Sequence, residues 1–263
     1  AESRGVTFTG LDTAVGSLSV LTGSASDDVF TLSNSAAKVT ANGIEFTRTG
    51  GGDFTTINAG ADTDTLSATG LSVALNAGEK SVRVFDALNI TGIDVMTAAA
   101  LVDDGNVART YAFDDANILD DANILDVASI KISGLTKVKA GSSDADTVNG
   151  IGEWTMLGSN NSAHNNGIDF EGIEFANSAF TTLKGSAAAD IVDVLAANSV
   201  KAWDITFNVT GGNDFTQVDL GNHVDSDGKF ILDEVTGLSA EDWIDITESK
   251  GATNAGIKFT GLD

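Results

Sequence analysis

The strongest constraint on this 263-residue chain is that it repeats itself. GVTFTGLD at 5–12 returns almost unchanged as GIKFTGLD at 256–263, and a related segment, GIDFEGIEF, stands at 167–175. With Gly5 set over Gly167, further landmarks fall into register. GSASDDVFTL from Gly23 lies over GSAAADIVDVL from Gly185, and TGGGDFTTI from Thr49 matches TGGNDFTQV from Thr210 at a shift one residue shorter. Trp154 and Trp243 precede their G-I-x-F segments at the same distance. Such agreement indicates an internal duplication, the mark of architectures in which equivalent segments stack on one another. Both ends of the sequence read as junctions within one periodic structure.

The repeated segments have the periodicity of strands. In GIKFTGLD and GIEFTRTG apolar residues alternate with Thr, Glu or Lys, as they do in SVRVFDALNI (81–90), IKISGLTKV (130–138) and DITFNV (204–209). Gly, Asn, Asp and Ser cluster between them as turn formers, and Pro is absent. The expected fold is all-β: a parallel β-solenoid of the β-helix or β-roll kind built from duplicated repeats, with β-sandwich repeats as the alternative. Repetition at non-hairpin distances and a scarcity of Asn-Gly and Asp-Gly turns favour the solenoid. One elongated repeat domain over 1–263 is expected, with internal units near 5–96, 97–166 and 167–263. Short helices are expected at MTAAALV (96–102) and SAEDWID (239–245). In AFDDANILDDANILDVASIKISG (112–134), Ile118, Ile124 and Ile130 recur at the hexapeptide spacing of some β-helices. Ile118, Ala122, Leu125 and Ala128 also trace a helical stripe, and strand is the preferred reading.

Charge narrows the function. The net charge is −24, from 38 acidic and 14 basic residues. This excludes a nucleic-acid binder, which needs clustered Lys and Arg, and disfavours an anionic membrane surface. It favours solubility and attraction of cations. With no Cys there is neither a disulfide framework nor a thiolate metal site. No apolar run has the length of a membrane span. Ala1 in first place fits a mature secreted chain or an excised segment. From these features the chain is expected outside the cell or on its surface.

Four segments resemble degenerate copies of the glycine-aspartate nonapeptide of the RTX calcium-binding β-rolls. They are GSASDDVFT from Gly23, AGADTDTLS from Ala59, GSSDADTVN from Gly141 and GSAAADIVD from Gly185. The sixth position holds Asp28, Asp64, Asp146 or Asp190, and the eighth holds Phe30, Leu66, Val148 or Val192. The octapeptide followed by such a segment is similar to repeats of large bacterial adhesins, including filamentous-haemagglutinin-like solenoids, and of surface-layer proteins. The resemblance implies Ca²⁺ held at turns by those four aspartates. The copies here are not in tandem, which removes the stacked half-sites of the family. A separate acidic loop, HVDSDGKFILDE (223–234), offers Asp225, Asp227 and Glu234 at positions of a twelve-residue calcium loop, with His223 where the leading Asp is needed. The metal candidates are therefore Asp28, Asp64, Asp146, Asp190, Asp225, Asp227 and Glu234, with Ca²⁺ as the ion.

Catalysis finds little in the sequence. There is no Cys and no G-x-S-x-G elbow, and of two His residues His164 lies in the polar stretch SNNSAHNNG. Acidic doublets such as Asp27–Asp28 and Asp103–Asp104 point to opposite faces of a strand, which suits paired-carboxylate chemistry poorly. The expected role is non-enzymatic: an extracellular surface-layer or filament subunit, or an adhesin stalk segment. Its partners would be copies of itself or flanking repeats. A calcium-stiffened module binding a cell-surface glycan or host surface is the alternative, and a β-helical carbohydrate-active enzyme comes third.

Overall fold

The computed structural model describes residues 2–3, 6–7, 12–78, 80–103, 107–113, 125–142, 145–159, 161–220, 234–237, 245–248, 251–254 and 257–260. All regular structure among them is β-strand, and parallel stacking makes the fold a β-solenoid. The chain divides into two compact units, residues 1–105 with 126–135, and residues 106–125 with 136–263.

In the first unit, strands one coil apart in sequence lie side by side in parallel. Leu21 of Val20–Thr22 sits on Ile57 of Thr56–Asn58, and Ile57 on Ile90 of Leu88–Thr91. A second stack takes Phe30 to Leu66, Met96 and Ile132. All these side chains are buried, while their neighbours along each strand face outward. The two-residue period thus becomes ladders of like side chains running through a core.

The second unit repeats the scheme. Tyr111, Val148, Ala176 and Phe207 form one ladder. Trp154, Leu183, Val218 and Phe259 form another. Phe170 packs edge-on against Phe113 and Trp154, with ring centroids 6.1 and 5.9 Å apart.

Each coil also carries antiparallel hairpins, a feature the sequence reading undervalued. The octapeptide is the returning strand of such a hairpin. Ile44 pairs back with Ala41, Ile168 with Asn165, and Ile257 with Asn254. Val6 pairs with Ser3 in the same sense. The turns at Asn42–Gly43 and Asn166–Gly167 have φ of 48° and 80°, and 48° and 81°. Two successive positive φ values define the turn whose twist matches a two-residue hairpin, so the leading Gly of the motif is a turn residue. The segments from Gly43, Gly167 and Ile257 hence share one place in a coil, whereas Val6–Thr7 belongs to a separate two-stranded sheet with Glu2–Ser3.

One expected helix is a strand. MTAAALV lies within Val95–Asp103, paired in parallel with Thr65–Leu75, and Met96, Ala98 and Leu101 are buried. A register shift between Ala98 and Ala100, opposite Gly70, reverses the alternation mid-strand. Two flanking strands outweigh the helix preference of three alanines. The other candidate, SAEDWID, lies outside the described residues except for Asp245, which opens a strand. The DDANIL tandem at 114–125 also lies outside them except for Leu125, which opens the strand Leu125–Val127.

Candidate functional site

The four nonapeptide aspartates all sit at corners of coils, and each is at most 3% exposed. Their local geometry explains the motif. In GSASDD, the Asp28 carboxylate turns back on Ser24, accepting its N–H at 2.6 Å and its hydroxyl at 3.2 Å. In GSAAAD, Asp190 accepts the Ser186 N–H at 2.9 Å and the Ser186 hydroxyl at 2.7 Å. These are side-chain-closed turns of the kind Asp favours. A Cβ on Gly23 would lie 1.8 Å from the Ala59 carbonyl and 2.5 Å from Asp28 Oδ2. On Gly185 it would lie 2.6 Å from Leu220 O and from Asp190 Oδ2. Glycine opens the motif because the next coil and the aspartate both occupy the space of a side chain.

The corners are also tied to one another. The Asp28 N–H donates to Asp64 Oδ1 of the following coil at 2.9 Å, and the Asp64 N–H donates to Asp94 Oδ2 at 3.2 Å. In return, the Thr65 N–H donates to Asp28 O and the Val95 N–H to Asp64 O. In the second unit the Arg109 N–H donates to Asp146 Oδ1 at 2.8 Å, and the Asp146 N–H to Glu174 Oε2 at 2.9 Å. Each step joins two coils by one carboxylate bond and by one or two backbone bonds. A buried N–H must find an acceptor, and the acid one coil onward supplies it.

Asp94 and Glu174 escaped sequence reading, though the signal was present. They stand after Gly92-Ile93 and Gly172-Ile173, at the place the final acid of the octapeptide occupies. Two further residues were unforeseen. Lys80, with φ of 49°, donates from Nζ to Asp94 Oδ1 and accepts the Gly92 N–H. Asn161, with φ of 55°, occupies the same place in the second unit, donating to Glu174 Oε1 at 3.3 Å and accepting the Gly172 N–H.

Electrostatics divides the first ladder. Burial raises the Asp64 carboxyl above its ordinary value, and the nearby charges of Asp28, Asp94 and Asp27 add to the rise, while the Asp28 N–H opposes it. Its Oδ2 is buried with no hydrogen-bond partner. For Asp94, burial pushes upward, but the Lys80 ammonium and the Asp64 N–H outweigh it and hold the carboxyl low. One ladder thus contains a carboxyl that resists ionisation beside one that favours it.

Of the remaining candidates, Glu234 is exposed in the strand Glu234–Thr236, its N–H donating to Asp190 O at 2.8 Å. Asp225 and Asp227 lie outside the described residues. Among the described residues, no group of three or more His, Cys, Asp or Glu side chains is arranged to hold a metal ion. His164, expected in a polar loop, lies in the strand Ser162–Asn165, with Nδ1 2.6 Å from Asp169 Oδ1 across the hairpin. Comparisons with known protein families, curated proteins and solved structures return no match to this chain.

Proposed function

We propose that the chain is a non-enzymatic structural protein of the extracellular surface: a subunit of a layer or filament, or a stalk segment of an adhesin, whose partners are further copies or flanking repeats. The observation that carries this reading is an open strand edge. Among the described residues, Thr13–Gly16 and Val20–Thr22 each have a strand neighbour on one side alone. Val15, Leu18 and Val20 stand exposed there, at 65%, 48% and 45%. An apolar, unpaired edge is a template for another strand. The acidic corners support the same reading, because they hold coil to coil by interior bonds rather than presenting carboxylates to solvent.

Light scattering and negative-stain imaging over a range of concentrations, with Ca²⁺ and with EDTA, test the proposal. The chain forms sheets or filaments, and a Val15→Lys/Val20→Lys variant, charged at the edge, stays monomeric at the same concentrations. A wild-type chain that remains monomeric in both conditions overturns it.

A further inference from the structure

The two units share a second feature, on their outer faces. Arg83-Val84-Phe85-Asp86 in the first unit and Lys201-Ala202-Trp203-Asp204 in the second follow one pattern: a cation, a buried apolar residue, an aromatic residue and an aspartate. They also occupy one place in the coil. Val84 pairs with Val73 as Ala202 pairs with Val192, and Arg83 faces Ala74 as Lys201 faces Asp193. In both, the aromatic residue and its aspartate take left-handed backbone, with φ of 54° and 61° at Phe85–Asp86 and 51° and 63° at Trp203–Asp204. The same left-handed pair is held by Asn-Gly at 42–43 and 166–167, which adopts it without strain, and by Ala128–Ser129, with φ of 51° and 61°. A bulky aromatic residue in left-handed backbone is uncommon, and its recurrence at the same place in both units sets these two turns apart.

Each of these turns borders a groove. Ile191, Asp193, Lys201, Trp203 and Asp204 line one of about 240 Å³ in the second unit. Leu71, Ser72, Arg83, Phe85 and Asp86 line one of about 340 Å³ in the first. The larger volume lies near the lower end of the range for small-molecule sites and the smaller lies below it. The indole of Trp203 is fixed, because its Nε1–H donates to buried Asp190 Oδ1 at 2.8 Å. Lys201 Nζ lies 3.5 Å from Asp204 Oδ1, so the cation and carboxylate share one side of the groove. Ile191, 56% exposed, leaves an apolar wall beside the ring.

We infer that these grooves are a duplicated binding site for neutral pyranose sugars. The axial C–H groups of a pyranose form a flat apolar face that packs on an aromatic ring. Its equatorial hydroxyls both donate and accept, which matches a carboxylate beside an ammonium or guanidinium. Charge selects the class of sugar. The grooves contain Asp86, and Asp193 with Asp204, on a chain of net charge −24, which repels acidic polysaccharides. A ring already anchored by Asp190 loses little freedom on binding. This inference does not depend on self-assembly, and each stands if the other fails.

The test is isothermal titration of the whole chain with neutral cello-, malto- and chito-oligosaccharides of defined length. At least one series binds with two sites per chain. Phe85→Ala reduces the count to one, and Trp203→Ala with Phe85→Ala abolishes binding. Because Trp203→Ala also removes the bond to Asp190, Lys201→Met and Asp193→Asn, which leave that bond intact, serve as the second arm. Each weakens binding at the second-unit groove several-fold, while loss of the ring weakens it roughly tenfold or more. Absence of binding across all three series overturns the inference. So does binding that survives the double aromatic substitution, or occupation of the grooves by a second copy of the chain instead of sugar.

Discussion

Asp64 gives the sharpest test of the corner ladder. Its Oδ1 accepts the Asp28 N–H at 2.9 Å, and Asp64 is fully buried. Asp64→Ala removes that acceptor and strands an N–H in the interior. A buried donor without a partner costs about 1–3 kcal/mol, partly offset by removing a carboxyl that resists ionisation. The expected net loss is about 1–2 kcal/mol. Asp64→Asn keeps the accepting oxygen and removes the charge, so it should match or exceed wild type at pH 7. The sign of the pH dependence follows from the raised carboxyl. The folded state holds the Asp64 proton more tightly than the unfolded chain, whose value is near the ordinary 3.8. The Asp64 contribution to stability therefore falls as pH rises from that value through the raised one, and Asp64→Asn escapes that part of the pH dependence. Urea unfolding followed by far-UV circular dichroism at pH 3 and pH 7 reads both effects. An Asp64→Ala variant as stable as wild type, or an Asp64→Asn variant that gains nothing relative to wild type between the two pH values, refutes the argument.

Other outcomes follow from the same geometry. Gly23→Ala and Gly185→Ala force a side chain into the neighbouring coil, and each should cost more than about 2 kcal/mol in chemical denaturation. Lys80→Met removes the cation that holds the Asp94 carboxyl low; that stability is present above the ordinary carboxyl value and lost as pH falls, so the variant's deficit should be larger at pH 7 than at pH 3. Phe170→Ala, which empties a fully buried ring site between Phe113 and Trp154, should cost about 3–5 kcal/mol by thermal or urea unfolding. Phe175→Ala, at a ring 37% exposed, should cost far less.

The fold was legible where a side chain reports its own environment. Alternation in IKIS and ITFN marks inward and outward faces, and the eighth residue of each nonapeptide, from Phe30 to Val192, is buried as an apolar position should be. What stayed hidden depends on partners a coil away in sequence. MTAAALV looks helical alone because its strand pairing comes from residues 65–75, which no local window contains. The aspartates at the corners could be found by motif, but whether they face solvent or the next coil's backbone is decided by stacking. Asp94 and Glu174 lack the nonapeptide glycine pattern and join the ladder through the octapeptide instead. The aromatic turn at Phe85–Asp86 was covered by the strand assignment at 81–90, and Trp203 stood just ahead of the one at 204–209, because left-handed backbone leaves no mark in hydrophobic alternation.

Coil stacking in register is the claim on which everything else stands, and the absence of native Cys allows it to be measured by cross-linking. Thr31 faces Ser67 in parallel register, and Asn177 faces Asn208. Side-by-side residues of adjacent strands lie within the Cα separation a disulfide requires, whereas partners displaced by two residues do not. Thr31→Cys/Ser67→Cys and Asn177→Cys/Asn208→Cys should each form an intramolecular disulfide rapidly under mild oxidation, with the circular dichroism spectrum unchanged. Thr31→Cys/Thr69→Cys should remain reduced under the same conditions. Equal rates for in-register and displaced pairs, or bonds that form only after denaturant is added, would contradict the solenoid.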